Sequence, residues 1–260
     1  LTDRVDREPL LRGHRVLEYL ELVSPGAELR RREEPDGDPP PPKLSELDGA
    51  AEAWRALVEV LSDDPKAPRL PKGREDDRTR PTVGLFPGGN APSRRWPAER
   101  FRELAERLGR DGVSTPVFGG DAERGRTAAV SDGVEGAVDL GGRTSLEALA
   151  GGLLACDVLV TNDSGPMHLA AAVGCPVVVP SGPADAVQTR PLGTPARLVG
   201  RFDLPCVPCV LNECPRSGEG YVLREAEREC MHLITVEEIR EAVIELLERP
   251  RGHDAEQREG

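Results

Sequence analysis

From Pro81 onward one unit recurs along the chain: a short apolar run, a glycine-rich break, then a stretch with helical periodicity. Residues 82–86 make the first run, and Pro87-Gly88-Gly89-Asn90 ends it. Pro97 then opens a helix with Phe101, Leu104, Ala105 and Leu108 on one face. Residues 115–118 are the next strand, ended by Gly119-Gly120, with a helix after Asp121. A weaker strand covers 137–140, and Thr144-Ser145-Leu146-Glu147 has the form of a capping box that opens a helix over 145–155. Strands at 158–161 and 176–179 flank a helix over 165–173, and an amphipathic helix over 236–247 closes the series. This alternation implies an α/β fold, a parallel sheet buried on both faces under helices.

The first 80 residues read differently. Val16, Leu17, Leu20 and Val23 have helical spacing, and residues 28–43, with Pro39-Pro40-Pro41-Pro42, read as an extended connector. A second helix is expected over 44–61, with Ala50, Trp54, Leu57 and Val58 on its apolar face. The polar, proline-rich 63–80 reads as a linker. Two helices without a strand cannot close a core of their own. The expected division is 1–80, then a Rossmann-like domain over 81–250, then a disordered charged tail over 251–260. The chain starts Leu1-Thr2-Asp3-Arg4, with neither a methionine nor a leader pattern, which suggests a fragment.

Charge excludes one class of partner. With 34 basic against 46 acidic residues the net charge is −12, the wrong sign for a nucleic-acid footprint. No apolar run approaches the ~18 residues of a membrane-spanning helix.

In open parallel sheets, ligands bind where the strands' carboxyl ends lead into helix N-termini. Three loops here suit that role: Pro87-Gly88-Gly89-Asn90, Gly119-Gly120-Asp121 and Asn162-Asp163-Ser164-Gly165. The third passes into Pro166-Met167-His168, which directs the backbone N–H groups of 164–167 toward an anion. Ser164 adds a hydroxyl, Gly165 permits close approach, and His168 can face the same pocket. Equally, Asp163 and Ser164 can be N-caps and His168 an ordinary helix residue. Arg94 and Arg95 at the mouth of the first loop can clamp a diphosphate, or be solvated surface charge. Asp121 and Glu123 can bind ribose hydroxyls, or merely offset a helix dipole. None of the loops has Rossmann-fingerprint or P-loop spacing, which disfavours NAD enzymes and NTPases.

Phe86-Pro87-Gly88-Gly89, Arg94-Arg95-Trp96-Pro97, Phe118-Gly119-Gly120-Asp121-Ala122-Glu123-Arg124 and Thr161-Asn162-Asp163-Ser164-Gly165-Pro166-Met167-His168 occur in that order. Together they resemble the C-terminal half of glycosyltransferase family 9, the ADP-heptose:lipopolysaccharide heptosyltransferases. The resemblance covers 81–247 well, and residues 1–5 and 14–23 weakly. It implies a GT-B fold of two Rossmann-like domains, with an incomplete N-terminal, acceptor-side domain in residues 1–80. By motif, Gly88 and Gly89 belong to the donor loop, and Arg94 takes a basic position, usually lysine, at the donor diphosphate. Glu123 takes the ribose carboxylate's place, and Thr144 lies where backbone contacts adenine. Asp163, Ser164, Gly165 and His168 match the block around the diphosphate and sugar.

The implied reaction is inverting transfer of a sugar, ADP-heptose by resemblance, to a lipopolysaccharide-core or other glycan acceptor. It runs without a required metal, at the cytoplasmic face of the inner membrane. The family's general base is an aspartate after the first strand of the N-terminal domain. Residues 1–80 contain no such strand and loop, and Asp3 and Asp6 lie in another context, so the piece alone is expected to be inactive. Two alternatives are a non-catalytic nucleotide-sugar-binding module and another GT-B-like enzyme such as a nucleotide-sugar epimerase.

Four of the six cysteines, Cys206, Cys209, Cys214 and Cys230, fall within one segment. Cys206-Val207-Pro208-Cys209 is knuckle-like, and four soft ligands can hold iron or zinc in a tetrahedral site. The remaining spacing is irregular, so reduced structural thiols or a disulfide formed on isolation stay open. By resemblance such cysteines are common in the family, and one branch holds iron with them.

Overall fold

The computed structural model describes residues 48–62, 70, 80–214 and 229–249. The helix expected near 14–23, the connector over 28–43, the tail over 251–260 and the linker over 63–80, apart from residues 70 and 80, lie outside the described residues. Helix α1 is Asp48–Ser62, followed by β1 (Val83–Phe86), α2 (Ala98–Arg110), β2 (Thr115–Gly119), α3 (Arg124–Ser131) and β3 (Ala137–Gly141). Then come α4 (Leu146–Ala155), β4 (Val158–Thr161), α5 (Gly165–Ala172), β5 (Val177–Ser181), α6 (Ala186–Thr189), β6 (Ala196–Gly200), α7 (Glu229–His232) and α8 (Val236–Leu247).

The strands form one six-stranded sheet in the order β3-β2-β1-β4-β5-β6, every neighbouring pair parallel. Successive strand residues face opposite sides, so each strand feeds two cores. On one face Phe86, Phe118, Leu159, Val177 and Val179 meet Trp54 of α1, Leu153 of α4 and Leu169 of α5. On the other, Val83, Leu85, Val117, Val158, Val160 and Val178 meet Trp96, the α2 residues Phe101 and Leu104, and Ile239 and Val243 of α8. Both faces are covered, as the apolar runs require.

Three details differ from the sequence reading. The strand β6 sits at the sheet edge with all five residues half-buried, and Arg197 interrupts its apolar signal. The cap of α4 is Ser145 rather than Thr144: its Oγ accepts from Ala148 N–H at 3.1 Å. Glu147 instead bonds its own backbone amide and the Ser145 hydroxyl, which holds its carboxyl below the ordinary range. The capping box that does form opens α8, between Thr235 and Glu238.

Helix α1 has no core apart from the sheet. Ala50, Trp54 and Val58 are buried in the first cluster, with Trp54 and Phe118 rings 6.0 Å apart. It approaches α4 closely because Gly151 and Gly152 present no side chain to it.

Candidate functional site

Strand order turns about β1 and β4. The chain runs from β1 outward to β2 and β3 on one side, and from β4 to β5 and β6 on the other. The loops after these two central strands therefore diverge and leave a crevice at the sheet's carboxyl edge.

A fully buried amide joins the two loops. Asn162, 0% exposed, donates from Nδ2 to the carbonyls of Pro87 at 3.0 Å and Gly88 at 2.8 Å. Its Oδ1 accepts from the N–H of Trp96 at 2.8 Å. One side chain thus satisfies three backbone groups that leave the sheet with no strand partner. Trp96 is fixed in turn by its indole N–H on Ile234 O at 3.0 Å and an edge-on contact with Phe101. The sequence reading assigns Asn162 no role. The one available signal was an amide set directly after four buried strand residues, where it needs partners.

Glu123 joins the first loop to the second. Its two carboxylate oxygens accept from Gly89 N–H at 2.7 Å and Gly120 N–H at 2.8 Å. A Cβ on Gly88 would collide with this carboxylate, and Gly89 sits at φ +139, where a Cβ would lie 3.5 Å from that of Ser164. The glycine pair is therefore required by close approach on one residue and by backbone conformation on the next. Asp121 does not join them: it is exposed and pairs with Arg124 at 2.6 Å.

The two arginines divide. Arg95 Nε donates to Gly89 O at 2.7 Å and so supports the loop. Arg94 reaches across the crevice, with NH1 3.7 Å from Asp163 Oδ2, and its Nε is buried with no hydrogen-bond partner among the described residues. Asp163 also accepts from the Thr189 hydroxyl at 2.8 Å, a contact from α6 that the sequence did not indicate. Ser164 is the residue before α5, but its side chain makes no cap; its hydroxyl donates to Asn162 O at 3.2 Å. Gly165 begins α5 and Pro166 follows in its first turn. His168, in the first turns of α5, is buried at 2% exposure. Thr144 is half-buried in the connection after β3, at the same edge of the sheet. The crevice thus combines a guanidinium, a glycine loop and a helix N-terminus, a set that suits an anion of diphosphate size.

None of the four clustered cysteines is joined in a disulfide, and all four are half-buried. Burial, with Cys206, Cys214 and Cys209 close by, pushes the Cys230 thiol up to about 11. Among the described residues, no three His, Cys, Asp or Glu side chains are arranged to hold a metal ion as they stand.

The family model of glycosyltransferase family 9 (heptosyltransferase) matches residues 45–218. Lipopolysaccharide heptosyltransferase 2 of Salmonella typhimurium is 38% identical over 126 residues, which make up 46% of this chain and 36% of that protein. Among solved structures, the glycosyl transferase family 9 protein of Veillonella parvula superposes with a TM-score of 0.57 at 26% identity, over 75% of this chain and 51% of that one. ADP-heptose lps heptosyltransferase II of E. coli gives 0.54 at 27% identity, over 74% and 51%. The chain spans about a third of the curated relative's length and about half of each of these two structures.

Proposed function

The chain belongs to glycosyltransferase family 9, and from that premise we propose that its sheet is the donor-binding half of a heptosyltransferase. The donor is ADP-heptose and the acceptor a lipopolysaccharide-core glycan, with inversion at the transferred carbon. The observation that carries this reading is Arg94 facing Asp163 across the β1–β4 crevice, above a glycine loop and beside the start of α5. In the displacement the acceptor hydroxyl attacks the anomeric carbon and gives its proton to a carboxylate base, which this reading assigns to the acceptor-side domain and to no residue of the described sheet. The bond from that carbon to the diphosphate oxygen breaks, and negative charge gathers on the departing ADP. Arg94 and the N-terminus of α5 meet that charge with groups already in place. Transfer in this reading requires no metal.

Glu123 has acceptor capacity left for the ribose. A carboxylate offers about four lone-pair sites, and the two N–H groups of Gly89 and Gly120 occupy one on each oxygen. Gly88 and Gly89 let the diphosphate approach the backbone, Asp163, Ser164, Gly165 and His168 surround diphosphate and sugar, and Thr144 lies toward the adenine. The acceptor class puts this work at the cytoplasmic face of the inner membrane. The described residues include no helix long and apolar enough to cross one.

Titration of the chain with ADP and UDP tests the site. ADP is expected to bind more tightly than UDP. Arg94→Ala is expected to weaken ADP about 10- to 100-fold, the loss of a charge-assisted contact, while adenosine binding stays unchanged. Binding of neither nucleotide, together with no effect of Asp163→Ala, would overturn the reading.

For Cys206, Cys209, Cys214 and Cys230 the proposal is a structural iron or zinc ion. Support comes from the chemistry of four soft donors and from the proximity that Cys230 feels. The thiols do not form a metal-holding group as they stand, so they must close around the ion. About one equivalent of metal per chain is expected by elemental analysis after anaerobic purification, and its absence would leave the cysteines as plain thiols.

A further inference from the structure

The four-cysteine loop touches the donor crevice at one buried side chain. Ser93 stands in the short turn Pro92–Arg94, 2% exposed and directly before Arg94. Its Oγ donates to the Leu211 carbonyl at 2.6 Å, and its backbone N–H to the Asn212 carbonyl at 3.1 Å. Both acceptors lie between Cys209 and Cys214. The same loop is anchored to the connection after β5, where Val210 N–H donates to Pro183 O at 2.8 Å. Next to that anchor, Cys230 and Met231 press on Gly182 so closely that a Cβ there would meet the Cys230 Sγ at 3.2 Å and collide with Met231. Residues 210–212 are thereby tied to the sheet edge on one side and to the turn of Arg94 on the other, with Cys230 packed beside that edge.

We propose that Ser93 is a positioning residue through which the four-cysteine loop holds Arg94 at the donor phosphates. The inference rests on Arg94 meeting the diphosphate. An arginine side chain is long and rotamer-rich, and what it contributes to binding falls by whatever ordering remains to be done. Its backbone here leaves a turn closed by two bonds, Arg94 N–H to Ala91 O at 3.1 Å and Arg95 N–H to Pro92 O at 3.3 Å. A turn this short has limited stiffness of its own. Double attachment of the preceding residue, by backbone and by side chain, supplies what the turn lacks. Arg94 then extends from a fixed point toward Asp163, with its Nε already out of water.

The test measures ADP and adenosine affinity by calorimetry for the wild-type chain, Ser93→Ala, Arg94→Ala and the double variant, with thermal unfolding alongside. Ser93→Ala is expected to weaken ADP about five- to tenfold, the scale of one buried hydrogen bond, and to leave adenosine unchanged. In the Arg94→Ala background the same substitution is expected to have no further effect on ADP, since a residue acting through Arg94 has nothing left to act on. A parallel loss of adenosine binding, or an undiminished loss in the double variant, would show a general structural role and overturn the proposal. A wild-type chain that binds adenosine but not ADP would instead overturn the diphosphate reading of the crevice, and this inference with it.

Discussion

Asn162→Ala is expected to cost about 4 kcal/mol of folding stability, since it strands three buried backbone groups at 1–3 kcal/mol each with partial relief by relaxation. The groups are the carbonyls of Pro87 and Gly88 and the N–H of Trp96. The pocket left behind is fully enclosed, so water enters it only by disturbing the loops. The expected readout is a lower urea midpoint with an unchanged slope. Nucleotide affinity should fall in parallel, by more than tenfold, because Gly88-Gly89 and Arg94 lose their common support. Asn162→Asp keeps the acceptor for Trp96 but turns two donors into lone pairs facing carbonyls, so it should be no better than alanine. A midpoint within error of wild type for both variants would remove Asn162 as the link between the loops.

Five strands were legible as short apolar runs set off by glycine or polar residues, because burial on both faces leaves little room for polar residues within them. Their order was not, since β1 pairing with β4 rather than only β2 is a property of helix crossovers that no local pattern records. The edge strand β6 escaped notice because Arg197 and half-burial remove the apolar signal. Helix α6 has four residues, too few for any periodicity, and Thr189 came with it. In the crevice, Gly88, Gly89, Arg94, Asp163 and Ser164 were visible as residue types suited to an anion, and the structure brings them together. Their division of labour was not visible. Arg94 and Arg95 are adjacent and chemically identical, yet one faces Asp163 and the other supports a carbonyl. Glu123 was read as a ribose ligand, while its two bonds to Gly89 and Gly120 depend on loops 31 residues apart meeting in space.

The largest loss of structure is expected from Gly151→Leu. In sequence, Gly151-Gly152 looks like a weak point within α4, since each glycine costs about 1 kcal/mol relative to alanine in a helix interior. The pair persists because α1 crosses there: a Cβ on Gly151 would collide with the carbonyl of Ala50 and lie 2.6 Å from the Cβ of Trp54. A Cβ on Gly152 would lie 3.0 Å from the Phe118 and Trp54 rings, so neither position can yield by rotating a flexible chain end. A leucine at 151 must therefore lift α1 off α4. The helix propensity regained by replacing one glycine, about 1 kcal/mol, cannot offset the exposure of Ala50, Trp54 and Val58, all now in the core. On the usual scale for overpacking plus lost burial, the expected cost is about 3–5 kcal/mol. Tryptophan fluorescence reads it directly. In a Trp96→Phe background, Trp54 emission should shift to the red at temperatures where the sheet is still folded, if α1 detaches before the rest. Gly151→Ala should give a smaller shift of the same sign. Trp54 emission unchanged in Gly151→Leu would mean that α1 packs elsewhere than on α4.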